Sequence, residues 1–169
     1  MNNNEFLKVS LQQYKEFYKV VDEWDVNAIT REWGNIILPQ RKTKFSAGYD
    51  FHMPFSFELQ PHDTLVVATG IKCSLDNDKV LQIYPRSGLG FKYGVGLVNT
   101  VGIIDSDYIN ADNEGHIVIK IHNPSEEIVE LNVGDAFAQG IITQYFTTRT
   151  DKSDTKKLRT GGFGSTNVR

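Results

Sequence analysis

The sequence predicts an all-β fold, an antiparallel sandwich or jelly-roll barrel, with a short N-terminal helical extension and a flexible C-terminal arm. Three observations predict it. From Ile36 onward, short runs rich in Val, Ile, Tyr and Phe are broken by Gly, Pro, Asn or Asp every eight to twelve residues, the spacing of antiparallel strands joined by tight turns. No helical periodicity interrupts those runs, which excludes the alternating pattern of a parallel sheet. The 169 residues, 40% hydrophobic and 23% charged, suffice for one buried core and not for two.

Each element can be justified in order. In SLQQYKEFYKVV (10–21), Leu11, Tyr14, Phe17, Tyr18 and Val21 recur at spacings of three and four, one face of an amphipathic helix that Ser10 can cap. DEWDVNAITREWGN (22–35) has little periodicity and reads as an irregular or partly helical connector, with Trp24 and Trp33 as packing anchors. The predicted strands are NIILP, GYDFHM, FSFELQ, DTLVVATGI, KVLQIYP, LVNTVGII, GHIVIKIHN, EEIVELN and DAFAQGIITQYF. The chain thus divides into an N-terminal helical extension (1–34), a barrel domain (35–149) and a C-terminal arm (150–169).

Composition narrows the function. The N-terminus lacks a basic-then-apolar leader and no run approaches the length of a membrane span, so a cytoplasmic protein is expected, with no membrane partner. A net charge of -3 argues against nucleic acid as a partner. Cys73, the single cysteine, reads as a buried, inert thiol. The arm from Thr150 onward carries five basic side chains against two acidic ones, +3, leaving -6 elsewhere. Such a glycine-rich tail suits an anion, or is simply a solvated end.

Several clusters can carry chemistry. YPRSGLG (84–90) puts Arg86 and Ser87 beside two glycines where a strand runs out, giving free backbone N–H groups, close approach and a charged donor for a phosphate; an ordinary surface turn is the alternative. In the hairpin-like stretch 98–115, Asp105 follows Ile103 and Ile104, apolar neighbours able to hold and shield a carboxylate that takes a proton from water. Tyr108 offers a flat face to a sugar or base, and Asn99 an amide that can read a base edge. Asp107, Asp112 and Glu114 read as turn and surface acids. Asp50, in SAGYDF, could hold a metal-bound water or a turn. The four histidines show no ligand spacing.

In order, AGYDF, PRSGLG, NTVGIIDSDY, AFAQG and RTGGFGST resemble the five motifs of the homotrimeric deoxyuridine triphosphatases (dUTPases), of phage or Firmicutes type, over Ile36 to Thr166. The resemblance implies a homotrimer of jelly-roll-like barrels that hydrolyses dUTP to dUMP and pyrophosphate with Mg²⁺, each active site being shared: one subunit supplies AGYDF, PRSGLG and AFAQG, a second the hairpin, and a third its flexible C-terminal arm, which closes over the neighbouring site. It implies Asp105 as the base that deprotonates the attacking water and Tyr108 against the deoxyribose. Asn99 and the backbone around Gly102 and Ile104 would meet uracil. Arg86, Ser87, Gly88 and Gln139 would meet phosphate oxygens, and Asp50 Mg²⁺ through water. From the arm, Phe163 and Gly164 would cover the base while Arg159, Ser165 and Thr166 grip the γ-phosphate, with Lys157 as the alternative cation. The sequence departs from the family pattern at Gly88, where a second serine is usual, and at INADNEG, which enlarges the hairpin tip. Two other readings are a dCTP deaminase-like enzyme on the same barrel and an added role in binding a regulatory protein.

Overall fold

The computed structural model describes residues 3–18, 25–151, 156 and 159–161. In chain order the elements are β1 (Glu5–Lys8), α1 (Leu11–Tyr18), α2 (Val26–Asn35), β2 (Gln40–Arg41), β3 (Tyr49–His52), β4 (Phe57–Leu59), β5 (Thr64–Ala68), β6 (Ile71–Ser74), β7 (Lys79–Pro85), α3 (Ser87–Tyr93), β8 (Gly96–Leu97), β9 (Gly102–Asp105), a 3₁₀ turn (Ser106–Asn110), β10 (Val118–His122), β11 (Val129–Leu131) and β12 (Ala136–Gln144).

The fold is all-β and jelly-roll-like. A five-stranded sheet runs β2-β3-β12-β7-β9, a three-stranded one β5-β10-β8, and two pairs join β1 to β6 and β11 to β4. Every pairing is antiparallel. Alternation explains the core: Leu81 and Ile83 of β7, Ile119 and Ile121 of β10 and Leu65 and Val67 of β5 point inward, while Gln82, Lys120 and Val66 point away. These side chains meet Phe51, Met53, Leu59 and Phe137, all essentially sealed from water.

The N-terminal segment is tied to the barrel by specific bonds. Strand β1, which the sequence did not predict, extends β6 and puts Phe6 edge-on against Phe51. Helix α1 places Tyr14 and Tyr18 in the core. Its cap Ser10 accepts from Gln13 N and gives its own N–H and hydroxyl to Glu114, at 3.0 and 2.5 Å, where Lys72 Nζ also donates at 2.8 Å. The connector is a ten-residue helix, α2, capped by Asp25 and pinned where Trp33 Nε1 donates to Val9 O.

Two predicted strands are corrected. NIILP makes no ladder: Asn35 ends α2, and Ile36 inserts over Gly70 instead of pairing. LVNTVGII breaks at Val98–Val101, so β8 joins β10 and β9 joins β7; the expected hairpin arms lie in different sheets. A third difference is α3, a helix where only a strand end and turn were foreseen. Cys73 is buried, and burial pushes its thiol up to about 12, which makes it inert. No described helix is long and apolar enough to cross a membrane.

The N-terminal junction makes stability acid-sensitive. Burial depresses His116 from 6.5 to about 4. For Glu114 burial acts upward, but Lys72 and Ser10 outweigh it and hold the carboxyl at about 2, below its usual 4.5. In both cases the unfolded chain binds the proton more readily, so stability falls with pH. The His116 share is complete above its unfolded value of 6.5 and lost toward about 4; the Glu114 share is complete above 4.5 and lost toward about 2. Urea titrations should therefore show His116 contributing about 3 kcal/mol of decline, with Glu114→Gln flattening only the later part of the curve.

Candidate active site

The predicted site residues fall into two groups. The first gathers where β3, β12 and β7 run side by side: Gln139 is in register with Asp50 on one flank and Tyr84 on the other. Asp50, 7% exposed, accepts a hydrogen bond and ion pair from Arg86 Nη1. Gln139 Nε2 donates to Pro85 O at 3.1 Å, and its Oε1 lies so close to Gly48 that a Cβ there would sit 2.5 Å away. Only glycine leaves Gln139 in that position. Ser87 then opens α3, and a side chain at Gly88 would meet nothing within 4 Å, so this turn is open to a ligand. Backbone amides, a hydroxyl and a guanidinium on an open turn are groups that can meet an anion, although Arg86 here gives Nη1 to Asp50.

The second group lies around β9. Separation of β8 from β9 opens a cleft of about 330 Å³ lined by Ile83, Leu97, Asn99, Gly102, Ile104 and Ile119 among others. It is mainly apolar with one amide at its edge, a composition suited to a flat heterocycle. Asp105 ends β9 with its side chain 51% exposed. The shielding expected from Ile103 and Ile104 is not found: β9 is an edge strand, and Ile103, two residues before Asp105, faces outward with it and is itself exposed. Tyr108 is only 6% exposed, and burial raises its phenol above the usual value, so the hydroxyl keeps its proton.

Arg159 joins this second group. Its Nη2 donates to Asp105 Oδ2 at 3.2 Å, its Nε lies 3.6 Å from Asp107 Oδ1, and its guanidinium stands 5.4 Å from the Tyr108 ring centre. Thr160 O accepts from Asp112 N, so this piece of the arm lies on its own barrel. The sequence reading assigned Arg159 to a phosphate; in this structure the anions it meets are Asp105 and Asp107. Phe163, Gly164, Ser165, Thr166 and Lys157, with Val21 and Trp24, lie outside the described residues.

Asp105 is far from the first group. Strand β7 pairs Val80 with Asp105 and carries Arg86 just past its other end, six residues or about 20 Å along an extended strand. Within one chain, Asp105 and the Arg86 turn do not converge.

Sequence reasoning missed two side chains here. His52 follows Asp50 on the same face of β3; its Nδ1 is buried without a hydrogen-bond partner, and burial followed by nearby Arg86 keeps its pKa low despite the Asp50 charge. Asn113, set in a stretch that read only as a turn, donates to the Tyr108 hydroxyl. Spacing carried no sign of either, since each acts through a neighbour distant in sequence or folded back. Among the described residues no three His, Cys, Asp or Glu side chains converge as a metal cage; the buried carboxylate of Asp50 is already paired with Arg86, so a cation there would need most of its ligands from its own phosphate oxygens and waters.

The architecture is that of the jelly-roll-like all-β barrels. Within that class the chain belongs to the dUTPase family, whose sequence model matches residues 34–167. The deoxyuridine 5'-triphosphate nucleotidohydrolase of Lactococcus lactis subsp. lactis (strain IL1403) is 38% identical over 132 residues, spanning 78% of this chain and 88% of that protein. The crystal structure of dUTPase from Streptococcus mutans is similar with a TM-score of 0.63 and 30% identity, over 85% of this chain and 97% of that one. The Staphylococcus bacteriophage 80alpha dUTPase solved with dUPNHPP shares the fold at a TM-score of 0.64 and 20% identity, over 99% and 100% of the two chains.

The Asp50–Arg86 pair is a testable unit. Arg86→Met should cost about 3–5 kcal/mol by leaving a buried carboxylate unpaired. Asp50→Asn combined with it should cost clearly less than the two single changes together, read from urea unfolding of all four proteins.

Proposed function

We propose that this chain hydrolyses dUTP to dUMP and pyrophosphate in the cytoplasm, at active sites shared among three copies of the chain. The observation that carries the shared site is the separation along β7: a phosphate turn at Arg86 and a base at Asp105 that one chain holds at opposite ends of a strand. One copy supplies Arg86, Ser87, Gly88 and Gln139 to the phosphates, while a second supplies the cleft and Asp105. The exposed edge of β9, with Ile103 outward, supports burial against a neighbour.

Chemistry follows from the placement. Uracil enters the cleft, where the Asn99 amide and the backbone at Gly102 and Ile104 pair with its edge, and Tyr108 lies against the deoxyribose. Asp105 takes a proton from a water that attacks the α-phosphorus; the P–O bond to the β-phosphate breaks and pyrophosphate leaves. Asp50 would hold a Mg²⁺ ion through water, and the ion, when bound, would supply positive charge against the leaving pyrophosphate. Arg159 exchanges its carboxylate partners for the γ-phosphate as Phe163, Gly164, Ser165 and Thr166 close over the nucleotide, which frees Asp105 to act as base. A basic arm is suited to this because a triphosphate is strongly anionic.

Asp105→Asn should lower kcat for dUTP by about 10²- to 10⁴-fold, with dUTP binding nearly intact; wild-type turnover would remove Asp105 from the mechanism. The shared site has a separate test. Asp105→Asn and Arg86→Ala chains, each inactive alone, should regain roughly a quarter of wild-type activity when co-assembled, because each supplies the half that the other lacks. No recovery in verified mixed oligomers would place the whole site on one chain.

A further inference from the structure

The Tyr108 hydroxyl is held from both sides. It donates to His116 O at 2.9 Å and accepts from Asn113 Nδ2 at 2.8 Å, which uses its proton and one lone pair and fixes the swing of the ring. Both partners are themselves fixed. Asn113 Oδ1 accepts from Gly115 N at 3.2 Å, and Asn113 O accepts from His116 N at 3.0 Å, closing the enlarged tip into a tight turn. Gly115 has φ +70°, and a Cβ there would stand 2.7 Å from Ile109 Cα and 2.8 Å from Tyr108 O; the tip is therefore folded directly onto the tyrosine it serves. His116 is buried, with Nε2 accepting from Gly70 N at 2.9 Å. Glu114, between them, is bonded to Ser10 and Lys72.

We propose that Asn113 is a positioning residue for sugar selection: acting through the Tyr108 hydroxyl, it sets the ring angle that admits a deoxyribose and leaves no room for a 2′-OH. This rests on the reading of Tyr108 as the sugar-facing residue. The tip is then part of the specificity apparatus, and the N-terminal segment, through Ser10 and Glu114, braces it. An untethered phenol could tilt to accommodate the extra hydroxyl, whereas a tethered one must break a hydrogen bond to do so.

The test is a double-mutant cycle on the ratio of kcat/KM for dUTP over that for UTP, in full-length protein. One hydrogen bond lost should lower the ratio about three- to tenfold in Asn113→Ala, mainly through a higher KM for dUTP and a lower one for UTP. Tyr108→Phe, which keeps the ring and removes the hydroxyl, should lower it similarly, and the double variant no further than Tyr108→Phe alone. Additive losses would mean that Asn113 acts by another route and would overturn the proposal, as would a wild-type ratio in Asn113→Ala. If Asn113→Ala fails to fold, a wild-type ratio in Tyr108→Phe overturns the proposal by itself. Tyr108→Ala separates the two levels: an unchanged ratio there defeats the sugar-facing reading, whereas a reduced ratio there beside an unaffected Tyr108→Phe defeats only the hydroxyl clamp.

Discussion

Strand β7 is the constraint on which the remaining architecture depends. Its hydrogen-bonded ladder with β12 runs seven residues, from Ala138 opposite Pro85 to Gln144 opposite Lys79, and its other edge is occupied by β9. Inward-facing Leu81 and Ile83 anchor it in the core, so it can neither slide nor shift register without turning apolar side chains to water. Every polar group with a candidate role is placed relative to this strand. Arg86 leaves its C-terminal end, Gln139 sits across from Tyr84, and Asp105 stands opposite Val80. A rigid strand thus separates Asp105 from the Arg86 turn, and under the proposed function association of identical chains is what would bring them together.

The same rigidity explains what was legible in the sequence. Strands β7, β10 and β12 announced themselves because each is a run containing Ile or Val and bracketed by turn residues. Strand β1 was silent: EFLK contains one buried phenylalanine, and its identity as a strand comes from the β6 edge that receives it. NIILP failed for the opposite reason, being rich in strand formers but having no edge to join. Helix α3 was hidden by its own composition. Two glycines in seven residues lower helix propensity, and the turn is sustained by tertiary context and by Gly94 in the left-handed conformation at its end.

Among site residues, legibility followed chemical type. Arg86, Ser87, Asp105 and Tyr108 stood out because their neighbours in sequence are glycines or apolar strand residues, an unusual setting for reactive groups. Pairings did not stand out. That Arg86 meets Asp50, that Arg159 meets Asp105, and that Asn113 meets Tyr108 are facts about chain reversal. Small polar residues such as Asn113 read only as turn formers until the turn is seen to end on something.

Residues 113 to 116 illustrate how an apparently dispensable loop can be committed throughout. Asn113 serves the tyrosine, Glu114 the N-terminal helix cap and Lys72, Gly115 the close approach to Ile109, and His116 both Gly70 and Tyr108. His116 can do this only while neutral, because its Nε2 must stay an acceptor for the Gly70 N–H. Protonation would put two donors face to face in a site closed by Tyr14 and Phe17. The burial that excludes the proton is supplied by α1, which Glu114 in turn tethers. The N-terminal helix, the enlarged tip and Tyr108 therefore form one closed chain of dependence, in which loosening any member exposes the next to water.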